Sequence, residues 1–355
     1  MITERENYIR NATFNYPEWI PIRIAISDAT WDQLREDLES VIIRHPVLFP
    51  DFNKGWRDYD NYKFGPRYTK GVASTDEWGC TWVASANGIL GVVKKSPLTD
   101  WKDLQDYQFP DASVQEDCGH WDEERKRIEN DRSCGEPAIG FGIHGFLFMR
   151  IQYLRGFENA MMDFAIKDPR LQGLIDKLVE HNMVIVNNYL NIGVDVMNFG
   201  EDLGTQTSTL LSPADFRHWI APAYHKLMEP CKKRGVLVSL HSDGKILDIL
   251  EDQIEAGVDI VNPQDLCNGI DNLAKRIKGK ACIQLDIDRQ SVIPFGTRKE
   301  IHELIEEEVR KLGSPEGGLE FVAGIYPPTP PENIDALFEA LEKYRTYWWD
   351  QVNNI

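Results

Sequence analysis

From residue 136 onward the chain alternates short apolar runs with amphipathic stretches, and no other feature restricts its fold as strongly. A strand that must be followed by a helix before the next strand builds a parallel sheet with helices on its faces. Six runs qualify as strands: 138–145, 194–202, 236–243, 258–263, 281–288 and 319–326. Two earlier runs, 20–26 and 71–82, bring the total to eight, the number that closes a (β/α)8 barrel.

The helix signals fall between these runs. Ser212 ahead of Pro213 reads as a cap and first turn, with Gly235 closing that helical stretch before the next strand. Thr297 opens another helix and Gly313 ends it, while Thr329, with Glu332 three residues on, has the spacing of a capping box for a last helix through Tyr344. A helix from Trp31 to Ile43 separates the first two strands. Segment 97–136, rich in Asp and broken by Pro and Gly, reads as an irregular excursion near the barrel mouth before the third strand. The expectation is an α/β protein of the TIM-barrel class. It is one domain over 1–355, with an N-terminal extension at 1–19. An open doubly wound sheet is the competing architecture, since Gly140 to Gly145 spells GxGxxG. Only Pro137, Ala138 and Ile139 separate it from the polar 131–136 run, too little for the strand a dinucleotide fingerprint must follow.

A formal net charge of −18 disfavours nucleic acid and anionic membrane surfaces as partners and leaves a small molecule or a protein. The first ten residues lack the apolar core of a secretory signal, and no apolar run is long enough to span a bilayer, so a cytoplasmic protein is expected. The six cysteines (Cys80, Cys118, Cys134, Cys231, Cys267 and Cys282) form no CxxC pair and are expected as free thiols. A homodimer is the expected assembly only in the sense that symmetric dimers are common.

Barrel strands present their C-terminal ends at the face where such proteins do chemistry, so polar residues ending the strands belong together. They are His144, Glu201, Asp202, His241, Asp243, Asn262, Gln264, Asp286, Asp288 and Tyr326. Any one of these acids could merely cap a helix, but several acids around a histidine imply a bound cation or shared protons. His241 ends the apolar run Val236 to Leu240, where a buried strand meets the mouth, and is the sharpest candidate for proton or metal chemistry. The expected catalytic set is His241, Asp243, Glu201, Asp202 and Tyr326. His144, Trp78, Cys80, Asn262 and Asp286 are expected to bind substrate, Trp78 as a flat wall and Cys80 lining the pocket. The other histidines, His45, His120, His181, His218, His225 and His302, are expected to pack at the surface or core edge.

Tyr153 to Asn159, Val196 to Asp202 with Leu211 to Pro213, His241 to Gly244, Gly257 to Pro263 and Pro330 to Ile334 form a pattern that resembles the uroporphyrinogen decarboxylase superfamily, which includes corrinoid-dependent methyltransferases. Thr75 to Gly79 with Asp106 to Pro110 is similar to its methyltransferase-like branch. Decarboxylases of the superfamily carry an arginine-rich motif near the first strand, where this chain has Arg23 alone. Its methyltransferases hold zinc through a His-x-Cys pair after strand five and a Cys after strand eight. Here the pair reads His241 and Asp243, and Ile325 or Tyr326 stands near the second cysteine. Losing the thiolates disfavours a thiol acceptor. The resemblance then implies an O-demethylase component that passes a methyl group from a small O-methyl donor, such as a methoxylated aromatic, to the Co(I) corrinoid of a partner protein. The chain has no cobalamin-binding Asp-x-His-x-x-Gly signature, so a separate corrinoid protein must bring that cofactor. His241, Asp243, Glu201 or Tyr326 would protonate the leaving oxygen. Alternatively, His241 with Glu201, Asp202 or Asp243 would hold a zinc that polarises it. Decarboxylation of uroporphyrinogen or a smaller acid, and a non-catalytic ligand-binding barrel, are the competing readings.

Overall fold

The computed structural model describes residues 2–113 and 121–353. Cys118 and His120 therefore lie outside the described residues. The strands in chain order are β1 (Ile22–Ile26), β2 (Ala73–Thr75), β3 (Thr81–Val83), β4 (Val92–Lys95), β5 (Ile139–His144), β6 (Val196–Asp202), β7 (Leu237–Asp243), β8 (Ile260–Pro263), β9 (Cys282–Asp286) and β10 (Leu319–Ile325). Seven of them form one parallel sheet in the order β1-β10-β9-β8-β7-β6-β5, curled in the manner of a TIM barrel. The apolar runs and the helices between them thus build the expected α/β class. β1 and β5 are the two edges of that sheet, and among the described strands none joins them.

The run at 71–82 does not supply the eighth barrel strand. It folds back on itself as β2 and β3, which with β4 make a separate antiparallel sheet. The cause is local. Asp76 accepts hydrogen bonds from the Cys80 amide at 2.8 Å and the Trp82 indole at 2.7 Å, and Gly79 takes a φ of +76°, so the chain turns where an extended strand was expected.

Helix starts follow the sequence signals where a side-chain oxygen is in reach. Ser212 caps Pro213–Asp215, and Thr297 with Glu300 forms a complete capping box on Arg298–Leu312, which Gly313 ends. The box expected at Thr329 is absent. Helix Pro331–Tyr344 begins from Pro330 with no side-chain cap, and Thr329 is buried one residue too early. Pro331 at the first helical position has no amide hydrogen to satisfy, which lessens the need for a cap. Within 97–136, residues 121–133 form a helix. Its Arg127 donates to the Ile139 carbonyl, so this part of the excursion packs beside the start of β5 and not over the mouth. Among the described residues no helix is long and apolar enough to cross a membrane.

Candidate active site at the mouth of the sheet

Strand register lays out the site in rows. His144, Gly200, His241 and Asn262 are successive partners across β5 to β8, and Asp202 pairs with Asp243 two residues further along. Gln264 and Asp286 continue that second row. A bulge in β5 between Phe141 and His144 brings His144 opposite Gly200. A Cβ at Gly200 would press on His144, 3.3 Å from its Cα and 3.4 Å from its ring, and the His144 and His241 ring centroids lie 5.5 Å apart. His144 Nε2 lies 2.9 Å from Asp202 Oδ1.

His241 has its protons assigned by its neighbours. Asn262 donates its amide N–H to the Gln284 carbonyl at 2.5 Å, so its oxygen accepts from His241 Nδ1 at 2.7 Å. His241 Nε2 then faces Asp243 Oδ1 at 3.3 Å, an arrangement satisfied when that nitrogen also carries a proton. Burial opposes the charge on His241, but Asp243, Asp286 and Asn262 outweigh it and hold its pKa above the ordinary value. Burial likewise works against the Asp243 carboxylate, and His241, Arg289 and His144 overcome it to bring its pKa down to about 2. The site sets an imidazole whose charged form is favoured beside a firmly ionised acid.

Asp286 differs from both. It is 2 % exposed, neither of its oxygens has a hydrogen-bond partner among the described residues, and burial raises its pKa to about 6 against the pull of Arg289 and His241. Arg289 is the residue that sequence reasoning missed. It lies 2.5 Å from Asp243 Oδ1 and 3.3 Å from Asp286 Oδ2, with its guanidinium over the Tyr326 ring at 5.4 Å. The available signal was a lone basic residue three positions past the last acid of a strand. These groups, with Arg23, Asn198 and Gln284, line an open cleft of about 270 Å³. A second cavity of about 370 Å³ opens beside it, and Asp286 and Arg289 line both.

Four expected residues take other roles. Glu201 is fully buried, and its two oxygens accept from the amides of Leu147, Phe148 and Met149 at 2.7, 2.7 and 2.8 Å. These are the unsatisfied donors at the start of helix Phe148–Arg155, so Glu201 anchors that helix and is corrected from catalyst and metal ligand to structural acceptor. Cys80 is wholly buried with its thiol toward the Tyr153 carbonyl, and burial followed by the Asp76 charge lifts its pKa to about 12. It therefore does not line the mouth. Trp78 packs edge-on to His181 and under Arg150, beside Ile143 in a narrow pocket separate from the cleft. Asp288 accepts four amides from Gln290 to Ile293 and so shapes the β9 loop. His144, Asp202, His241, Asp243, Asn262, Asp286 and Tyr326 do come together.

Among the described residues, two groups of three donors could close on a metal, and they share His241: His144 with Asp202 and His241, and His241 with Asp243 and Asp286. Neither contains the thiolates of the zinc site that the resemblance implies. In the first, His144 and Asp202 hydrogen-bond to each other at 2.9 Å. In the second, Arg289 is ion-paired to both carboxylates, and its charge opposes a divalent ion there. The cation this site contains is an arginine.

Comparison with known proteins agrees with the architecture. A family model described as uroporphyrinogen decarboxylase (URO-D) matches residues 76–344. Curated relatives include the uroporphyrinogen decarboxylases of Prochlorococcus marinus (strain MIT 9312), 29 % identical over 51 % of this chain and 51 % of the relative, and of Thermus thermophilus, 27 % identical over 55 % and 52 %. The chain spans about half the length of these curated relatives. Among solved structures, a methyltransferase from Methanosarcina mazei superposes with a TM-score of 0.67 over 97 % of this chain and 99 % of its own, at 18 % identity, which is a likeness of fold.

Proposed function

We propose that this chain, which belongs to the uroporphyrinogen decarboxylase family, moves a methyl group from a small O-methyl donor, a methoxylated aromatic by preference, to a corrinoid carried on a separate protein. One observation carries the reading: an imidazole at the mouth of the sheet with acceptors at both nitrogens, the Asn262 oxygen 2.7 Å from Nδ1 and the Asp243 carboxylate 3.3 Å from Nε2, an arrangement that suits a proton on each. Breaking a methyl–oxygen bond leaves an electron pair on oxygen, and the leaving group departs more readily when a proton reaches it in the transition state. The reduced corrinoid supplies the nucleophile that takes the methyl group.

His241 Nε2 delivers its proton to the leaving oxygen, and Asp243 keeps the imidazole charged until then. Asn262 fixes the ring's orientation. Arg289, across the Tyr326 ring, places a fixed positive charge beside the developing oxyanion. His144 and Tyr326 are accessible from solvent and so can meet a donor before the partner covers the cleft. The full-length superposition on a methyltransferase supports the reading at the level of fold. Mixing the purified chain with reduced corrinoid protein and a panel of methoxylated phenols should produce the methyl–cobalt absorbance change. No change with any donor overturns the proposal.

A second reading draws on Arg23, Arg289 and Asp286. Two guanidiniums in one cleft could hold a small carboxylic acid, and an acid with a pKa of about 6 could protonate the carbanion left by decarboxylation. Release of labelled carbon dioxide without any corrinoid would select it. A non-catalytic barrel would leave every assay indifferent to His241→Ala.

A further inference from the structure

Asp243 and Asp286 offer donor atoms within 4.8 Å of each other and of His241, and two carboxylates at that range repel unless enough positive charge stands between them. Asp286 shows the strain most, being 2 % exposed with no hydrogen-bond partner for either oxygen among the described residues. The guanidinium of Arg289 relieves it. One nitrogen is 2.5 Å from Asp243 Oδ1, which also accepts from Gln264 at 3.1 Å, and the other is 3.3 Å from Asp286 Oδ2. The backbone of Gly324 passes beside that guanidinium: a Cβ there would meet Arg289 Nη1 at 3.5 Å, an ordinary contact, and crowd the Tyr326 ring at 3.1 Å.

We propose that Arg289 is the resident cation of this mouth: it occupies, electrostatically, the seat that His241, Asp243 and Asp286 would otherwise offer to a divalent metal, and zinc enters only when the guanidinium is removed. Arginine stays charged, ligates nothing and leaves His241 free to carry protons at both nitrogens. A metal in the same seat would claim Nε2 and silence it as an acid. The inference deepens the proton-transfer reading of this site, but its test needs neither methyl donor nor corrinoid.

The native chain, purified without chelators, and an Arg289→Ala variant are compared by elemental analysis and by zinc titration against a chromophoric chelator, with circular dichroism to certify folding. The native chain should carry no stoichiometric zinc. Arg289→Ala should bind one per chain, on the order of 100-fold more tightly than the native protein. That gain should vanish in the Arg289→Ala, Asp286→Asn double variant. A native chain holding one zinc that His241→Ala releases overturns the proposal, as does an Arg289→Ala chain with unchanged zinc affinity. Arg289→Gln, which keeps most of the side chain's volume, serves if the alanine variant does not fold. A negative methyl-transfer assay leaves these outcomes standing, so the two ideas fail separately.

Discussion

The ends of β6 and β9 carry acids that look equivalent: Glu201 is 0 % and Asp286 is 2 % exposed, and burial raises both pKa values, to about 7 and about 6. What meets them differs. Glu201 receives three amides from the start of the next helix, which pull against its raised pKa and fill most of its acceptor positions in a site closed to solvent. Asp286 receives no hydrogen bond among the described residues, only the ion pair with Arg289, and it lines both cavities of the mouth. A buried carboxylate surrounded by donors is part of the scaffold. One left without them is available to a ligand or a proton.

The sharpest way to break this contrast is Glu201→Ala. Orphaning three interior amides should cost about 4 kcal/mol of stability, read by urea denaturation at pH 7. A variant as stable as the native chain would remove the structural assignment. His241→Ala should instead leave the fold intact and lower kcat on the order of 100-fold for whichever reaction is found, because the general acid is gone. Since His241 has a raised pKa, the native rate should hold at low pH and fall about tenfold per unit as pH climbs past that value, a limb that His241→Ala abolishes.

Asp286→Asn should act in the opposite direction to Glu201→Ala. The folded pKa of Asp286 is about 6 against an ordinary 3.8, so the fold favours the neutral acid. That contribution is fully present below about pH 4 and is lost as pH rises through about 6. The asparagine should therefore be more stable than the native chain by about 2 to 3 kcal/mol at about pH 8 and roughly equal to it at about pH 4. Denaturation at the two pH values checks this, and equal effects at both would sink it. Thr297→Ala, remote from the mouth, sets the scale for an ordinary local loss. Opening the capping box should cost about 1 kcal/mol with kcat unchanged, by the same denaturation and rate measurements.

Most of the site was legible because strand ends are legible. The apolar run before His241 placed it at the mouth, and the same logic placed His144, Asp202, Asp243, Asn262, Asp286 and Tyr326. Ser212 and Thr297 were readable as caps because the groups they bind are three residues away. Trp78 and Cys80 were misplaced because a strand-like run turned over at Asp76, whose two donors, four and six residues on, no alternation pattern registers. Glu201 was misjudged because its donors lie 52 to 54 residues upstream, and Arg289 was missed because Asp243 lies 46 residues before it.

The sequence by itself determined the class of fold, the face where the polar strand ends gather and the histidine among them. These follow from periodicity and from which residues end an apolar run, and both are properties of near neighbours in the chain. Tertiary structure alone decided which buried acid is satisfied and which is not, that β1 and β5 are edges among the described strands, and that Arg289 is ion-paired to the two carboxylates beside His241. Those outcomes depend on which donor meets which carboxylate across dozens of residues, and only the folded chain brings them within hydrogen-bonding distance.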